Sequence, residues 1–279
     1  MNILIIWGTD TKTTDLFGKL AGIAIPAEAN VTIVAFVNDV SRAAWGDISA
    51  PALVADIDAA AKATLPEGTS CKTEMVAEDD MTPWVLDAVA TRGFDLVIKT
   101  GRRSEGLLHT PSDWKLMRAL SVPFYIASPT KLKSKPLILA AIDTDGSDSK
   151  HAMTLKVLET AARIAKNRSY ELEVVYVIPV NRALKEIDAV DPETVLYNKG
   201  PAAQEALDAL LAGAGITPAA SHVLAGPPGN VIARLARKRK ADLVVMGSNG
   251  RSGLSAVLLG NTAEKAVHEI KTDVMVVKT

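Results

Sequence analysis

Short apolar runs alternate with longer amphipathic stretches along this chain, the pattern of strands and helices that builds a parallel sheet. The alternation occurs twice. Asn2-Ile3-Leu4-Ile5-Ile6-Trp7 opens the first half and Leu137-Ile138-Leu139-Ala140-Ala141-Ile142 the second, and both predict a buried first strand. Helical stretches near Thr14 to Ile23 and Lys150 to Ala165 follow, and then second strands at Val31 to Val37 and Leu172 to Ile178. Further on, Asp95-Leu96-Val97-Ile98-Lys99 matches Asp242-Leu243-Val244-Val245-Met246, and Val122-Pro123-Phe124-Tyr125-Ile126 matches Thr272-Asp273-Val274-Met275-Val276. The order of elements persists while the loops between them change length, which identifies a domain duplication.

Between the halves lies Ser128-Pro129-Thr130-Lys131-Leu132-Lys133-Ser134-Lys135-Pro136, polar, basic and bounded by prolines, which reads as a linker. The predicted domains are 1–129 and 137–279, joined by residues 130–136. The expected fold class is α/β: two tandem, doubly wound, Rossmann-like domains, each with a parallel sheet of about five strands. In such a sheet a ligand sits at the carboxyl ends of the strands, where the strand order reverses. Attention therefore falls on the loops after the first and fourth strands of each half.

Composition narrows the classes of partner. A length of 279 residues and 48% hydrophobic content support two domains with ordinary cores. With 31 basic against 32 acidic side chains, the net charge of -1 offers no electrostatic footprint for nucleic acid or for an anionic membrane surface. Any phosphate must be held by local geometry. The single cysteine, Cys71, has no intrachain partner and is expected to be an inert thiol in a reducing compartment. Met1 to Trp7 is too short and too poor in basic residues for a signal peptide, and no apolar run is long enough to insert in a membrane. A cytoplasmic location is the expectation. The histidines His109, His151, His222 and His268 are far apart and show no metal-ligand spacing, so no metal site is predicted.

The strongest chemical signal lies just past the fourth strand of the second half, in Met246-Gly247-Ser248-Asn249-Gly250 and, further on, Gly260-Asn261-Thr262-Ala263-Glu264. Gly247 and Gly250 admit backbone angles closed to other residues and let main-chain N–H groups approach a ligand. Asn261 or Thr262 reads as a helix cap with Glu264 reaching back, and the free N–H groups of that helix start suit a phosphate. Scattered glycines near a helix start also serve as plain turns, so the spacing matters more than the count.

That spacing, Gly247-x2-Gly250-x9-Gly260 followed by a polar residue, resembles the nucleotide loop of the universal stress protein family. Asn261 stands where the family commonly has Ser or Thr. The order of elements in both halves is similar to that of a universal stress protein domain, which makes the chain resemble the tandem members of the family. The resemblance implies a regulatory protein that binds ATP or AMP, with or without Mg2+, in its second half. It further implies that Asp143, at the end of the first strand, accepts a hydrogen bond from the adenine amine, and that main-chain groups around Val177 make the other adenine contact. The nucleotide-binding set is then Asp143, Val177, Met246, Gly247, Asn249, Gly250, Gly260, Asn261 and Thr262. Taken alone, Asp143 also reads as a turn or cap residue at a strand end. Domains of the family pair through their last strands, so Val122 to Ala127 and Asp273 to Val277 are expected to form an internal pseudo-dimer, in a chain that is otherwise monomeric or a homodimer.

The first half lacks this chemistry. Gly8 stands at the place of Asp143, and Lys99-Thr100-Gly101-Arg102-Arg103-Ser104-Glu105-Gly106 replaces the glycine loop. Thr110-Pro111-Ser112-Asp113-Trp114 reads as an ordinary capped helix start. This half is expected to be a surface for protein partners or a divergent pocket. The competing readings are a scaffold that has lost its nucleotide, slow ATP hydrolysis without an evident general base, and an adenine-nucleotide alpha-hydrolase. The last rests on Thr144-Asp145-Gly146-Ser147-Asp148-Ser149, where Asp145 would repel pyrophosphate. No catalytic residue is assigned, and neither a dinucleotide fingerprint nor a P-loop occurs.

Overall fold

The computed structural model describes residues 1–8, 13–37, 49–100, 112–128, 131–144, 148–180, 191–248 and 269–278. The chain divides into two compact units, Met1–Leu132 and Lys133–Thr279.

The first unit contains β1 (Asn2–Trp7), α1 (Thr13–Ile23), β2 (Asn30–Phe36), α2 (Ala50–Thr64), β3 (Ser70–Val76), α3 (Met81–Arg92), β4 (Leu96–Lys99), α4 (Ser112–Ala119) and β5 (Phe124–Ile126). Its strands lie in the order β3-β2-β1-β4-β5, with every pairing parallel. The second unit contains β6 (Leu137–Ile142), α5 (Asp148–Arg168), β7 (Glu171–Pro179), α6 (Pro192–Gly213), β8 (Ala220–Gly226), α7 (Pro228–Arg239), β9 (Leu243–Gly247) and β10 (Asp273–Val277). Its order is β8-β7-β6-β9-β10, again parallel throughout. Both units are therefore doubly wound sheets of the same topology. The strand order turns back at β1/β4 in one and at β6/β9 in the other.

A strand covered on both faces should be apolar without alternation, and the central strands obey this. Ile3, Leu4, Ile5 and Ile6 of β1 and Ile138, Leu139 and Ala140 of β6 are all buried, as are Val97 and Ile98 of β4 and Val244 and Val245 of β9. The helices are delimited by local chemistry. Asp80 caps α3 through the Thr82 N–H at 3.0 Å, and Gly93 ends it in the left-handed region at φ 66°. Asp191 caps α6 by accepting from the N–H groups of Glu193 and Thr194. Arg237, Lys238 and Arg239 crowd the last turn of α7, where cations complement the helix dipole.

One device recurs in both units. Asp95 accepts the Asn2 N–H at 2.7 Å, and Asp242 accepts the Leu137 N–H at 2.9 Å. In each case the same aspartate donates its own N–H to the carbonyl of that partner residue. An aspartate ahead of the fourth strand thus fixes the register of the first strand against it, at equivalent positions of the repeat.

Candidate functional site

At the carboxyl end of the second sheet the central strand stops short of one neighbour. β6 is last paired to β7 at Ile142 against Tyr176, whereas β7 continues alongside β8 through Val177, Ile178 and Pro179. On its other side β6 is last paired to β9 at Ala141 against Met246, and β9 continues alongside β10 to Gly247. β7 therefore outruns β6, whereas β9 ends level with it, and this step lies at the reversal point of the sheet. Asp143 is the first residue past the end of β6.

The position of Asp143 is set by α5. The Thr154 hydroxyl, itself buried, donates to the Asp143 carbonyl at 2.7 Å and pins the backbone where the strand ends. The Asp143 carboxylate remains 44% exposed and faces Lys150, whose Nζ lies 3.5 Å from Oδ2. An accessible carboxylate at a strand end can accept from a planar amine, which is the role the family resemblance implies for it. Val177 and Met246 are buried in the flanking strands, and Gly247 closes β9. Ser248, also buried, donates its N–H to the Val277 carbonyl and so extends the β9–β10 ladder beyond Gly247.

Gly247 differs in one respect from the sequence expectation. It does not occupy the left-handed region. It lies in extended strand, and its lack of a side chain makes room for Met153 of α5. Of the predicted nucleotide-binding set, the structure places Asp143, Val177, Met246 and Gly247 at the carboxyl ends of β6, β7 and β9. Asn249, Gly250, Gly260, Asn261 and Thr262 lie outside the described residues.

The equivalent place in the first unit is built differently. Gly8 occupies the position of Asp143, and Thr100 that of Gly247. The Thr100 hydroxyl accepts the Gly8 N–H at 2.9 Å and donates to the Ile6 carbonyl at 3.2 Å, tying the end of β1 to the end of β4. Lys99, at the position of Met246, forms a 2.6 Å ion pair with Asp113 in the first turn of α4, and both side chains are buried. Side chains tie the two central strands together here, and a charged pair lies beside them.

Sequence reasoning missed a second polar cluster, at the opposite end of the second sheet. Glu173 of β7 is 1% exposed, accepts from the Arg239 Nε at 3.0 Å and lies 2.8 Å from the His222 Nε2 of β8. Burial works against its ionisation, but the hydrogen bonds from Arg239 and His222 outweigh it and hold the carboxyl below the usual range. A glutamate amid an apolar strand was the available signal. At the edge of the same sheet a cavity of about 330 Å³ lies beside Leu224 and Ala225, between the acidic start of α6 and Arg234. It contains none of the predicted site residues. Among the described residues no group of His, Cys, Asp and Glu is arranged to hold a metal ion. No helix among them is long and apolar enough to cross a membrane.

Comparison with known proteins agrees with this architecture. The model of the universal stress protein family matches residues 137–278. Universal stress protein E of Escherichia coli K12 is 30% identical over 228 residues, covering 78% of this chain and 71% of its own. The homolog from Haemophilus influenzae is 31% identical over 204 residues, 70% of this chain and 65% of its own. Among solved structures, a universal stress protein from Pseudomonas aeruginosa UCBPP-PA14 superposes with a TM-score of 0.74 at 23% identity, covering 99% of this chain and 92% of that one. With the family model matched across the second unit, and relatives aligned over most of the chain, this protein belongs to the universal stress protein family.

Proposed function

We propose that the second unit binds an adenine nucleotide, ATP or AMP, at the carboxyl end of β6, and that the protein acts in a stress response as a nucleotide-dependent regulator. The observation that carries this reading is the placement of Asp143. Its half-exposed carboxylate stands at the reversal point of the sheet, just past the end of β6 and beside the longer β7. A carboxylate there accepts a hydrogen bond from the exocyclic amine of adenine, while main-chain groups around Val177, near the end of β7, make the second contact with the base. The glycine-rich sequence from Gly247 to Gly260, followed by Asn261 and Thr262, is suited to the ribose and phosphates through main-chain N–H groups. Any Mg2+ would arrive on the phosphates rather than on a protein cage.

In the first unit the side chain of Thr100 and the Lys99–Asp113 pair take up the corresponding ground. That unit is assigned to protein partners, and one nucleotide is expected per chain.

The test is to denature freshly purified protein and identify any released nucleotide by chromatography, beside a Gly250→Arg variant that places a bulky side chain in the loop. ATP or AMP released by the native protein and absent from the variant supports the assignment. If neither carries nucleotide, and millimolar ATP leaves the melting temperature unchanged, the binding reading fails. A scaffold without nucleotide then replaces it.

A further inference from the structure

Lys150 stands in an electrostatically awkward place. It lies in the first turn of α5, where the helix dipole presents its positive end and a cation is disfavoured. Asp143 compensates it, with Lys150 Nζ at 3.5 Å from the carboxylate and both side chains 44% exposed. This ammonium therefore faces one oxygen of the carboxylate that the adenine amine would use. Resting on the nucleotide reading above, we propose that Lys150 sets the base selectivity of the site by competing with the adenine amine for Asp143.

The argument is one of donor and acceptor counting. Asp143 is an acceptor only, and the donor that adenine brings meets a carboxylate whose charge the nearby ammonium already offsets. A purine with an oxygen at position 6, as in hypoxanthine, brings an acceptor. That oxygen is repelled by the carboxylate alone but is matched by the ammonium. Lys150 thus lowers affinity for adenine and raises affinity for 6-oxopurines, blurring a discrimination that Asp143 alone would make sharp. The distance is long and the pair exposed, so the effect is modest, at most about fivefold for a contact of this kind.

The experiment is titration calorimetry of adenosine and inosine against the full chain and its Lys150→Met variant. Nucleosides are the probes because they carry no phosphate charge for Lys150 to attract. Folding of the variant is checked by circular dichroism, and Lys150→Gln serves as a second variant. The expected result is adenosine binding about threefold tighter in the variant and inosine no tighter, with salt tightening adenosine in the parent protein only. Unchanged or weaker adenosine binding, or equal gains for both nucleosides, overturns the proposal. If neither adenosine nor ATP binds to either protein, the nucleotide reading itself falls and takes this inference with it. Binding that is present but insensitive to Lys150 sinks the inference alone.

Discussion

Met153 and Gly247 are packed so closely that a Cβ built on the glycine would stand 2.5 Å from the methionine Cγ and 2.8 Å from its Sδ. The glycine is where β9 meets α5, and Met153 is buried against it. This close approach explains residue 247 without any ligand, and it predicts that Gly247→Ala destabilises the fold by about 1–3 kcal/mol through overpacking. A methionine is flexible, which keeps the cost toward the lower end of that range. Chemical denaturation of Gly247→Ala, Met153→Ala and the double variant checks it. The double variant should be less destabilised than the sum of the singles by about 1 kcal/mol, because truncating Met153 removes the clash. Simple additivity would show that the two residues do not constrain each other.

The Lys99–Asp113 pair of the first unit is buried on both sides, and removing one partner should leave the other charge without compensation. Lys99→Met and Asp113→Asn are each expected to cost about 3–5 kcal/mol, whereas the double change Lys99→Met with Asp113→Leu costs much less. Urea melts of the three variants decide the matter. If the double variant is as unstable as the singles, the pair contributes through the shape of its side chains and not through its charge.

How much of this was legible beforehand follows from the range over which each feature acts. The strands announced themselves because a parallel sheet demands apolar runs such as Leu137 to Ile142, and the duplication because segments such as Asp95 to Lys99 recur as Asp242 to Met246 in the same order. Asp143 was readable as a residue following a strand. The contacts were not. Glu173, His222 and Arg239 lie 49 and 66 residues apart in pairs, and no periodicity links them. The role of Gly247 depends on Met153 of another element, so the sequence offered a glycine and suggested a backbone angle where the structure has a packing constraint. In the same way Lys99 and Asp113 read as a strand end and a helix start, and only folding shows that they meet.

Cys71 should behave as an unreactive thiol. Burial, reinforced by the nearby Asp58 carboxylate, pushes its pKa up to about 11. At pH 8 the native thiolate fraction is then on the order of a hundredfold below that of an ordinary cysteine. Alkylation with iodoacetamide is expected to be correspondingly slow in the folded protein and fast in urea, with the native rate still climbing at pH 10. Equal rates in native and unfolded protein would contradict the environment described here.

The ion cluster around Glu173 makes the acid side of the stability profile specific. The carboxyl is held below its usual range in the folded state, so the unfolded chain takes up a proton at a higher pH than the folded one does. The stability contributed by Glu173 is therefore present above the unfolded value, about 4.3, and is lost as the pH falls through the lower folded value. Glu173→Gln keeps the shape of the side chain and removes the charge, leaving donors that the carboxylate had satisfied. The expected cost at pH 7 is about 2 kcal/mol, and the difference from the parent protein should narrow at pH 3.5. Urea denaturation at the two pH values measures both. A gap that stays constant between them would mean that Glu173 acts through packing, whereas a gap that closes assigns its role to the charge shared with Arg239 and His222.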